Sequence, residues 1–389
     1  MRVLVDVSAV PEEPVGAGVY TINLVGALDA GADVDLEVLT RTDDRARWRR
    51  IAPHSRVHAK VPTSRPLRLA WEQAMAPRLA RSLDVAVWHG PHYTLPLRYE
   101  GPKVVTIHDM TFFENPEFHE RAKVVFFQRM IRAAAERAKV IVAVSDDTAG
   151  RLRRILNPQV PVVVAPHGVD RSRFRPAGDD ATVAADLATL DAVGVTPPFL
   201  AFVGTLEPRK NVPGLIAAFA AVASDHPDLS LAIAGRPGWG ASEVEAAVRK
   251  SGLADRIHLL GYAPPELLPV LYRTAAAVVY PSHAEGFGVP ALEALACAAP
   301  LVTTSGTPMA DMAGDAAVLV PPGDDVALAR AVERVLSEER LSKALREAGP
   351  RVAGRYSWGV CARAHVEAYR VAASDQPGST VERDPGGAS

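Results

Sequence analysis

Two Rossmann-like α/β domains, each built on a parallel sheet, are the architecture this sequence predicts. Three observations predict it. Strand-like apolar runs alternate with helical periodicity along nearly the whole chain, which marks parallel sheets with helices on both faces. The chain's 389 residues exceed the roughly 250–300 at which a single core usually divides. A stretch from Arg171 to Pro198, carrying Pro176, Gly178, Asp179, Asp180 and a Pro-Pro pair, separates two such series and reads as a linker.

The first series of strands is expected at Val3–Val7, Leu36–Leu39, Val85–Trp88, Val104–His108, Val140–Val144 and Val162–Ala165. The second is expected at Phe199–Val203, Leu229–Ala234, Ile257–Leu260, Ala276–Tyr280, Leu301–Thr304 and Ala317–Val320. Around Tyr356-Ser357-Trp358 the pattern changes to a last amphipathic helix running to about Val371. These features set the expected domains at 1–172 and 173–355, a terminal helix at 356–372, and a polar, Pro/Gly-rich tail at 373–389 without hydrophobic period, which reads as disordered.

Hydrophobic content of 48% is enough for two real cores. No run of about 18 uninterrupted apolar residues occurs, and the chain opens directly on the strand-like Arg2-Val3-Leu4-Val5, so a cytoplasmic protein is expected. Cys297 and Cys361 fall on helix-like apolar faces and are expected to be packing residues, forming neither a disulfide framework nor a metal pattern. The net charge of −2 divides unevenly: residues 1–175 hold 26 Lys/Arg against 20 Asp/Glu, and the remainder 17 against 25. In the basic half, Arg45, Arg47, Arg49 and Arg50 flank Trp48, while Arg65, Arg68, Arg78 and Arg81 interleave with Leu67, Leu69, Trp71 and Leu79. An ordinary solvated helix is the favoured reading there; peripheral contact with the inner face of an anionic membrane is the alternative. No recognised module accompanies the charge, which argues against nucleic acid.

The most informative stretch is Pro281-Ser282-His283-Ala284-Glu285-Gly286-Phe287-Gly288-Val289-Pro290-Ala291-Leu292-Glu293. It follows an apolar strand, so Glu285 is expected in the loop at the strand's carboxyl end, where open α/β sheets bind ligands. Pro290 suits a first helical position, Glu293 would fall in that helix's first turn, and the N–H groups of Gly286, Phe287, Gly288 and Val289 would form an anion cradle. Diphosphate and sugar hydroxyls both fit such a site. A helix start with solvated or capping glutamates is the competing reading.

The order Ser-x-x-Glu-Gly-Phe-Gly-x-Pro-x-Leu-Glu-Ala resembles the Glu-x7-Glu signature of the retaining glycosyltransferases of family 4, which have the GT-B fold: two Rossmann-like domains whose parallel sheets face an interdomain cleft. The resemblance covers nearly the whole chain to about Arg370 and implies that the terminal helix crosses back to the N-terminal domain. Ala298 and Ala299 stand where a glycine is usual, Asp311 replaces a frequent glutamate, and Pro166-His167-Gly168-Val169-Asp170 resembles an interdomain Asn-Gly-Val-Asp segment with histidine for asparagine.

After the first strand, Gly16 and Gly18 open a helical run from Tyr20 to Leu28, a loop through which backbone amides can approach an anion; in the family it borders donor phosphate and acceptor. His108, followed by Asp109, ends a strand and by resemblance lies near the donor sugar. His89, His92 and Tyr93, at the neighbouring strand end, are expected with Asp109 on the acceptor side. A three-histidine zinc site of His89, His92 and His108 is a minor alternative whose spacing matches no known catalytic motif. In the second domain Gly204-Thr205-Leu206-Glu207-Pro208-Arg209-Lys210-Asn211 sets two cations beside a helix start near Pro213, as the charge developing on a departing diphosphate requires. The family's Gly-Arg-x-x-x-x-Lys pattern matches Lys210, but Thr205 stands at the arginine position and Arg209 is the candidate substitute.

The resemblance implies hexosyl transfer, mannosyl first, from a nucleoside-diphosphate sugar to a hydroxyl of a glycan or lipid-linked acceptor, with retention of configuration. Glu293 would bind the ribose hydroxyls and Glu285 the sugar hydroxyls; Arg209 and Lys210 would hold the diphosphate, and His108 would orient the sugar. No cofactor and no metal are expected, and GDP-mannose is the first donor guess, from the Gly-Thr-Leu-Glu-Pro-Arg-Lys-Asn variant. A nucleotide-sugar epimerase of the same architecture and a non-catalytic sugar-nucleotide binder are the alternatives.

Overall fold

The computed structural model describes residues 1–374, which divide into two compact units: residues 1–167 together with the C-terminal helix from Trp358, and residues 168–357. The division falls a few residues before the expected 172/173.

The first unit holds seven strands, β1 (Arg2–Asp6), β2 (Asp35–Arg41), β3 (Arg56–Val61), β4 (Val87–Gly90), β5 (Lys103–Ile107), β6 (Val140–Ala143) and β7 (Val162–Val164), in the order β3-β2-β1-β4-β5-β6-β7. Every pairing is parallel, with Val3 opposite Leu36 on one side and Val87 on the other. The central strands are apolar runs buried on both faces, the pattern a sheet covered by helices demands. The strand absent from the sequence expectation is β3. Its Arg-Val-His-Ala-Lys-Val sequence keeps Val57 and Val61 buried and exposes Arg56 and Lys60; at the sheet's edge it needs charge rather than a continuous apolar run.

One face of this sheet is covered by the helix Ala17–Gly31 and the C-terminal helix Trp358–Ala373, whose Tyr20, Leu24, Val366 and Tyr369 share a core with Val3, Val5, Val104 and Val140. The last helix thus extends two residues past the expected Val371, taking in Ala373, and the remainder of the expected disordered tail, 375–389, lies outside the described residues. On the other face, Leu4, Val61, Leu79 and Trp88 pack together.

The arginine-rich amphipathic segment proves to be two helices, Arg65–Ala74 and Ala76–Ser82, broken at Met75 ahead of Pro77. Trp71 and Leu79, which a lipid-docking face would present outward, pack into the core, leaving Leu67 exposed. Arg68 is half-buried and its charge acts on Asp6 and Glu72. Trp48 is fully buried. No helix among the described residues is long and apolar enough to cross a membrane.

The second unit holds β8 (Phe199–Val203), β9 (Ser230–Ala234), β10 (Ile257–Gly261), β11 (Ala277–Tyr280), β12 (Leu301–Thr304) and β13 (Ala317–Val320), ordered β10-β9-β8-β11-β12-β13 and parallel throughout. The expected linker contains a helix, Asp180–Asp191, whose N-cap Asp179 accepts a 2.8 Å hydrogen bond from the Thr182 N–H. Asp179 is a start signal that reads equally well as loop chemistry. In each sheet the strand order reverses once, between β1 and β4 and between β8 and β11. Chain crossovers diverge at these points, leaving a crevice at the carboxyl ends of the strands.

Candidate functional site

In the second unit the loops leaving β8 and β11 start from adjacent strands, with Ala277 opposite Leu200. Their sequences therefore meet at the switch point although about 75 residues apart. The His283 N–H donates to the Arg209 carbonyl at 2.8 Å, tying the two loops by their backbones. The Thr304 hydroxyl donates to the Ser282 carbonyl at 2.6 Å, fixing the second loop from β12.

On this frame Glu285 is clamped. Arg209 Nη1 donates to its Oε2 at 2.7 Å and Ser282 Oγ to its Oε1 at 2.9 Å, and Lys210 Nζ pairs with Oε1. Arg209 is itself aimed by Glu207, which accepts from Nε at 2.8 Å. Burial alone would raise the Glu285 carboxyl, but the charges and hydrogen bonds of Arg209 and Lys210 override it and hold it at about 2. Burial lowers the Lys210 ammonium, with the neighbouring Arg209 adding to the effect and Glu285 opposing it. The guanidinium of Arg209 thus reaches the centre of the site, although Thr205 occupies the position at which an arginine was expected.

Gly288 caps the helix Val289–Ala296 at φ 96°. A β-carbon there would stand 2.2 Å from Met309 Cγ, so only glycine fits. Pro290 is the second residue of this helix and Glu293 the fifth, so Glu293 lies beyond the first turn where the sequence had placed it; the helix begins one residue earlier than proline's usual position suggests. Its Oε2 accepts from the Tyr272 hydroxyl at 3.1 Å, and Tyr280, beside Tyr272, donates to the Val203 carbonyl at 3.0 Å. Burial pushes the Glu293 carboxyl up to about 7 against the pull of Tyr272 and Arg173.

The expected residues Gly16, Gly18, His89, His92, Tyr93, His108 and Asp109 lie in the first unit, at or beside its own switch point. Gly16 has φ 49° and caps the helix Ala17–Gly31. Gly18 is buried and its N–H donates to the Val15 carbonyl at 2.9 Å. Its amide is used inside the turn, and a β-carbon there would stand 3.1 Å from Pro14 Cβ. His108 is buried, and Nε2 donates to the Pro91 carbonyl at 2.8 Å. Since a carbonyl can only accept, the proton sits on Nε2 and Nδ1 carries the lone pair. Burial lowers the His108 pKa, with Pro91 and Asp109 opposing, so the ring is neutral at pH 7. Tyr20 and Tyr93 meet this ring edge-on at 4.8 and 5.4 Å.

His89 departs from the acceptor-side expectation. It is fully buried, with Nε2 bonded to Thr106 Oγ1 at 2.9 Å and Nδ1 to the Tyr369 hydroxyl at 2.8 Å, so both nitrogens are engaged inside the core. Tyr93 is 3% exposed; its hydroxyl accepts from the Asp109 N–H at 3.1 Å, and it too is a packing residue of this wall. Asp109 Oδ1 accepts from the N–H and the hydroxyl of Thr111 at 3.1 and 2.7 Å, shaping the turn. His92 is held down to about 3 by burial and by the charges of His108, Arg68 and Arg65. No group of three or more His, Cys, Asp or Glu side chains among the described residues is placed to hold a metal ion, which removes the three-histidine zinc alternative.

The sequence model of the family "Glycosyl transferases group 1" matches residues 192–352, and that of "Glycosyltransferase Family 4" matches residues 14–173. O-antigen chain mannosyltransferase B of Escherichia coli is 30% identical to this chain over 308 residues, covering 79% of this chain and 78% of that protein. The chain belongs to the family 4 glycosyltransferases. A D-inositol 3-phosphate glycosyltransferase of Segniliparus rotundus is 32% identical over 283 residues, with 70% of this chain and 61% of that one covered. Among solved structures, sucrose-phosphate synthase of Thermosynechococcus elongatus superposes with a TM-score of 0.78 at 22% identity over 95% of this chain and 98% of its own. Anabaena HepE in complex with UDP and glucose gives 0.74 at 18% over 94% and 98%. At these identities the likeness establishes the fold, which is GT-B.

In this family 4 glycosyltransferase the residues missed by sequence reasoning are the supports. Glu207 and Ser282, which stand inside the quoted motifs without a role assigned to them, and Tyr272, which stands outside them, touch the expected cation and carboxylates. Tyr20, His365 and Tyr369 lie around His89 and His108; the sequence signal for His365 and Tyr369 is their spacing with Cys361 on a single helix face.

Proposed function

We propose that this glycosyltransferase moves a hexosyl group, mannose foremost, from a nucleoside-diphosphate sugar to a hydroxyl of a glycan or lipid-linked acceptor, with retention of configuration. The observation that carries the reading is the clamp on Glu285: two cations and a carboxylate converge at the β8/β11 switch point, in the same unit as Glu293. The E. coli mannosyltransferase relative supports mannose, and HepE's complex with UDP and glucose supports a nucleotide-sugar donor. None of these matches speaks for an epimerase.

In this reading the donor diphosphate draws Arg209 and Lys210 toward its oxygens, and Glu285, released from part of its clamp, accepts hydrogen bonds from sugar hydroxyls. Glu293 receives the ribose hydroxyls. His108 offers the lone pair of Nδ1 to a sugar hydroxyl, since Nε2 is committed to Pro91. The bond from C1 to the phosphate oxygen breaks, its electron pair leaves with the diphosphate, the acceptor oxygen attacks C1 from the same face, and the acceptor proton passes to the departing phosphate. Once held on the diphosphate, the two cations stabilise that charge with no further movement as the bond breaks. No metal is required in this scheme; GDP-mannose is the first donor to try.

The experiment is a thermal-shift screen against GDP, UDP, ADP, dTDP and their sugar conjugates, followed by turnover of Glu285→Ala and Arg209→Ala with the stabilising donor. One nucleotide should raise the melting temperature by mass action. Loss of one such stabilising group typically costs about 100- to 1000-fold in turnover, and that is the size of drop expected for each variant. Full activity of Glu285→Ala would end the central claim; unchanged turnover of Arg209→Ala would remove its role at the diphosphate.

A further inference from the structure

The hydrogen bonds behind His108 form one directed circuit. His365 Nδ1 lies 2.8 Å from the Cys361 carbonyl, which can only accept, so Nδ1 holds the proton and Nε2 the lone pair. The Tyr20 hydroxyl, 2.7 Å from that Nε2, must then donate to it. Its oxygen is left to accept from Thr106 Oγ1 at 3.0 Å. Thr106, having given its proton, accepts from His89 Nε2 at 2.9 Å, and His89 Nδ1 accepts from the Tyr369 hydroxyl at 2.8 Å. One carbonyl thus fixes every proton from Tyr369 to Cys361. All five side chains of the circuit are fully buried, where breaking any link strands a polar atom away from water. Its side chains begin and end on the C-terminal helix, at Tyr369 and His365 four apart on one face, and it passes over β4 and β5 through His89 and Thr106.

Tyr20 is the member of this circuit that touches His108. Its ring stands edge-on to the imidazole with centroids 4.8 Å apart and planes at 85°, and it stacks on His167 at 4.8 Å. His167 stacks in turn on Trp358 of the C-terminal helix at 5.9 Å. The imidazole has one pinned nitrogen, Nε2 on Pro91, about which it can still tilt; of the rings packed on it, Tyr20, Tyr93, His92 and His167, Tyr20 has the shortest centroid distance, 4.8 Å, and limits that tilt on its side, so that it helps set where Nδ1 points.

We propose that Tyr20 is a positioning residue for His108, and that the C-terminal helix holds Tyr20 in place through His365. The proposal rests on His108 being a working group of the transferase. The test measures kcat and donor KM for Tyr20→Phe and Tyr20→Leu, each in the wild-type and the His108→Gln background, with the ring signal of His108 followed by NMR in selectively histidine-labelled protein and assigned by its loss in His108→Gln. A displacement of about 1 Å at a reacting group can cost 100-fold, so Tyr20→Leu should lower kcat about 10- to 100-fold with donor KM nearly unchanged, and Tyr20→Phe, which keeps the ring and loses the hydroxyl, by less. In the His108→Gln background each should change kcat by no more than about twofold, because coupled sites are not additive. His365→Ala, which is tied to Tyr20, should move the His108 signal as Tyr20→Phe does. Equal losses in both backgrounds, or a His108 signal unmoved in Tyr20→Phe and His365→Ala, overturn the proposal. The signal decides alone if turnover in the His108→Gln background is too slow to read, and Tyr20→Phe decides if the leucine variant does not fold. Wild-type turnover in His108→Gln would instead defeat the reading of His108 itself.

Discussion

Glu293 is a carboxyl whose environment opposes its expected task. Ribose hydroxyls donate, so they bind best to a carboxylate, yet burial lifts this group from an ordinary 4.5 to about 7. The folded state therefore keeps a proton that the unfolded chain releases. Stability from this group is complete below about pH 4.5 and erodes as pH rises through about 7, by at most about 3 kcal/mol at 1.36 kcal/mol per pKa unit. In Glu293→Gln that erosion should vanish, so the fall in unfolding free energy from pH 5 to pH 8, measured by denaturant titration, should be smaller in the variant. Parallel falls would show that another group titrates. Nucleotide binding should run the opposite way in the wild type, weakening about fivefold from pH 7 to pH 6 as the carboxyl takes up its proton. Calorimetry in the two buffers checks this, and the variant should show no such dependence.

At the scale of elements, the C-terminal helix Trp358–Ala373 joins folding to the site, because its inner face carries both apolar packing and the two ends of the buried circuit. Tyr369→Phe keeps the ring and removes one hydroxyl, leaving His89 Nδ1 buried without its donor. A stranded buried acceptor costs about 1–3 kcal/mol, and chemical denaturation should find a loss of that size, with Val366→Ala, a cavity without polar consequence, serving as comparison. Elements of this kind were legible in the sequence where one face is continuously apolar: twelve strands and the terminal helix announce themselves by period. The edge strand β3 did not, because its burial alternates with Arg56 and Lys60. The helix Asp180–Asp191 did not, because its cap Asp179 sits among glycine and proline signals that also describe a loop. For the helix Arg65–Ala74, periodicity gave an amphipathic face but not what it packs against, which is the core around Leu4 and Trp88 through Trp71.

For the molecule as a whole, the expected donor groups Arg209, Lys210, Glu285 and Glu293 all belong to one compact unit, residues 168–357. The two carboxylates were legible from a single contiguous motif, but the convergence of Glu285 with Arg209 and Lys210 was not, since it arises from β8 and β11 being neighbours across a strand-order reversal. A ligand held there stabilises the openings that break its own site and leaves others untouched. Hydrogen exchange with a saturating nucleotide and no acceptor should therefore slow amides in residues 203–212 and 281–296, by up to about 100-fold when the ligand is present at 100 times its Kd. Amides of β1, β4 and β5 should exchange at their ligand-free rates. Protection confined to the first unit would place the donor there and leave the Glu285 clamp as a structural ion pair, whose two cations would then be explained by the burial of the carboxylate alone.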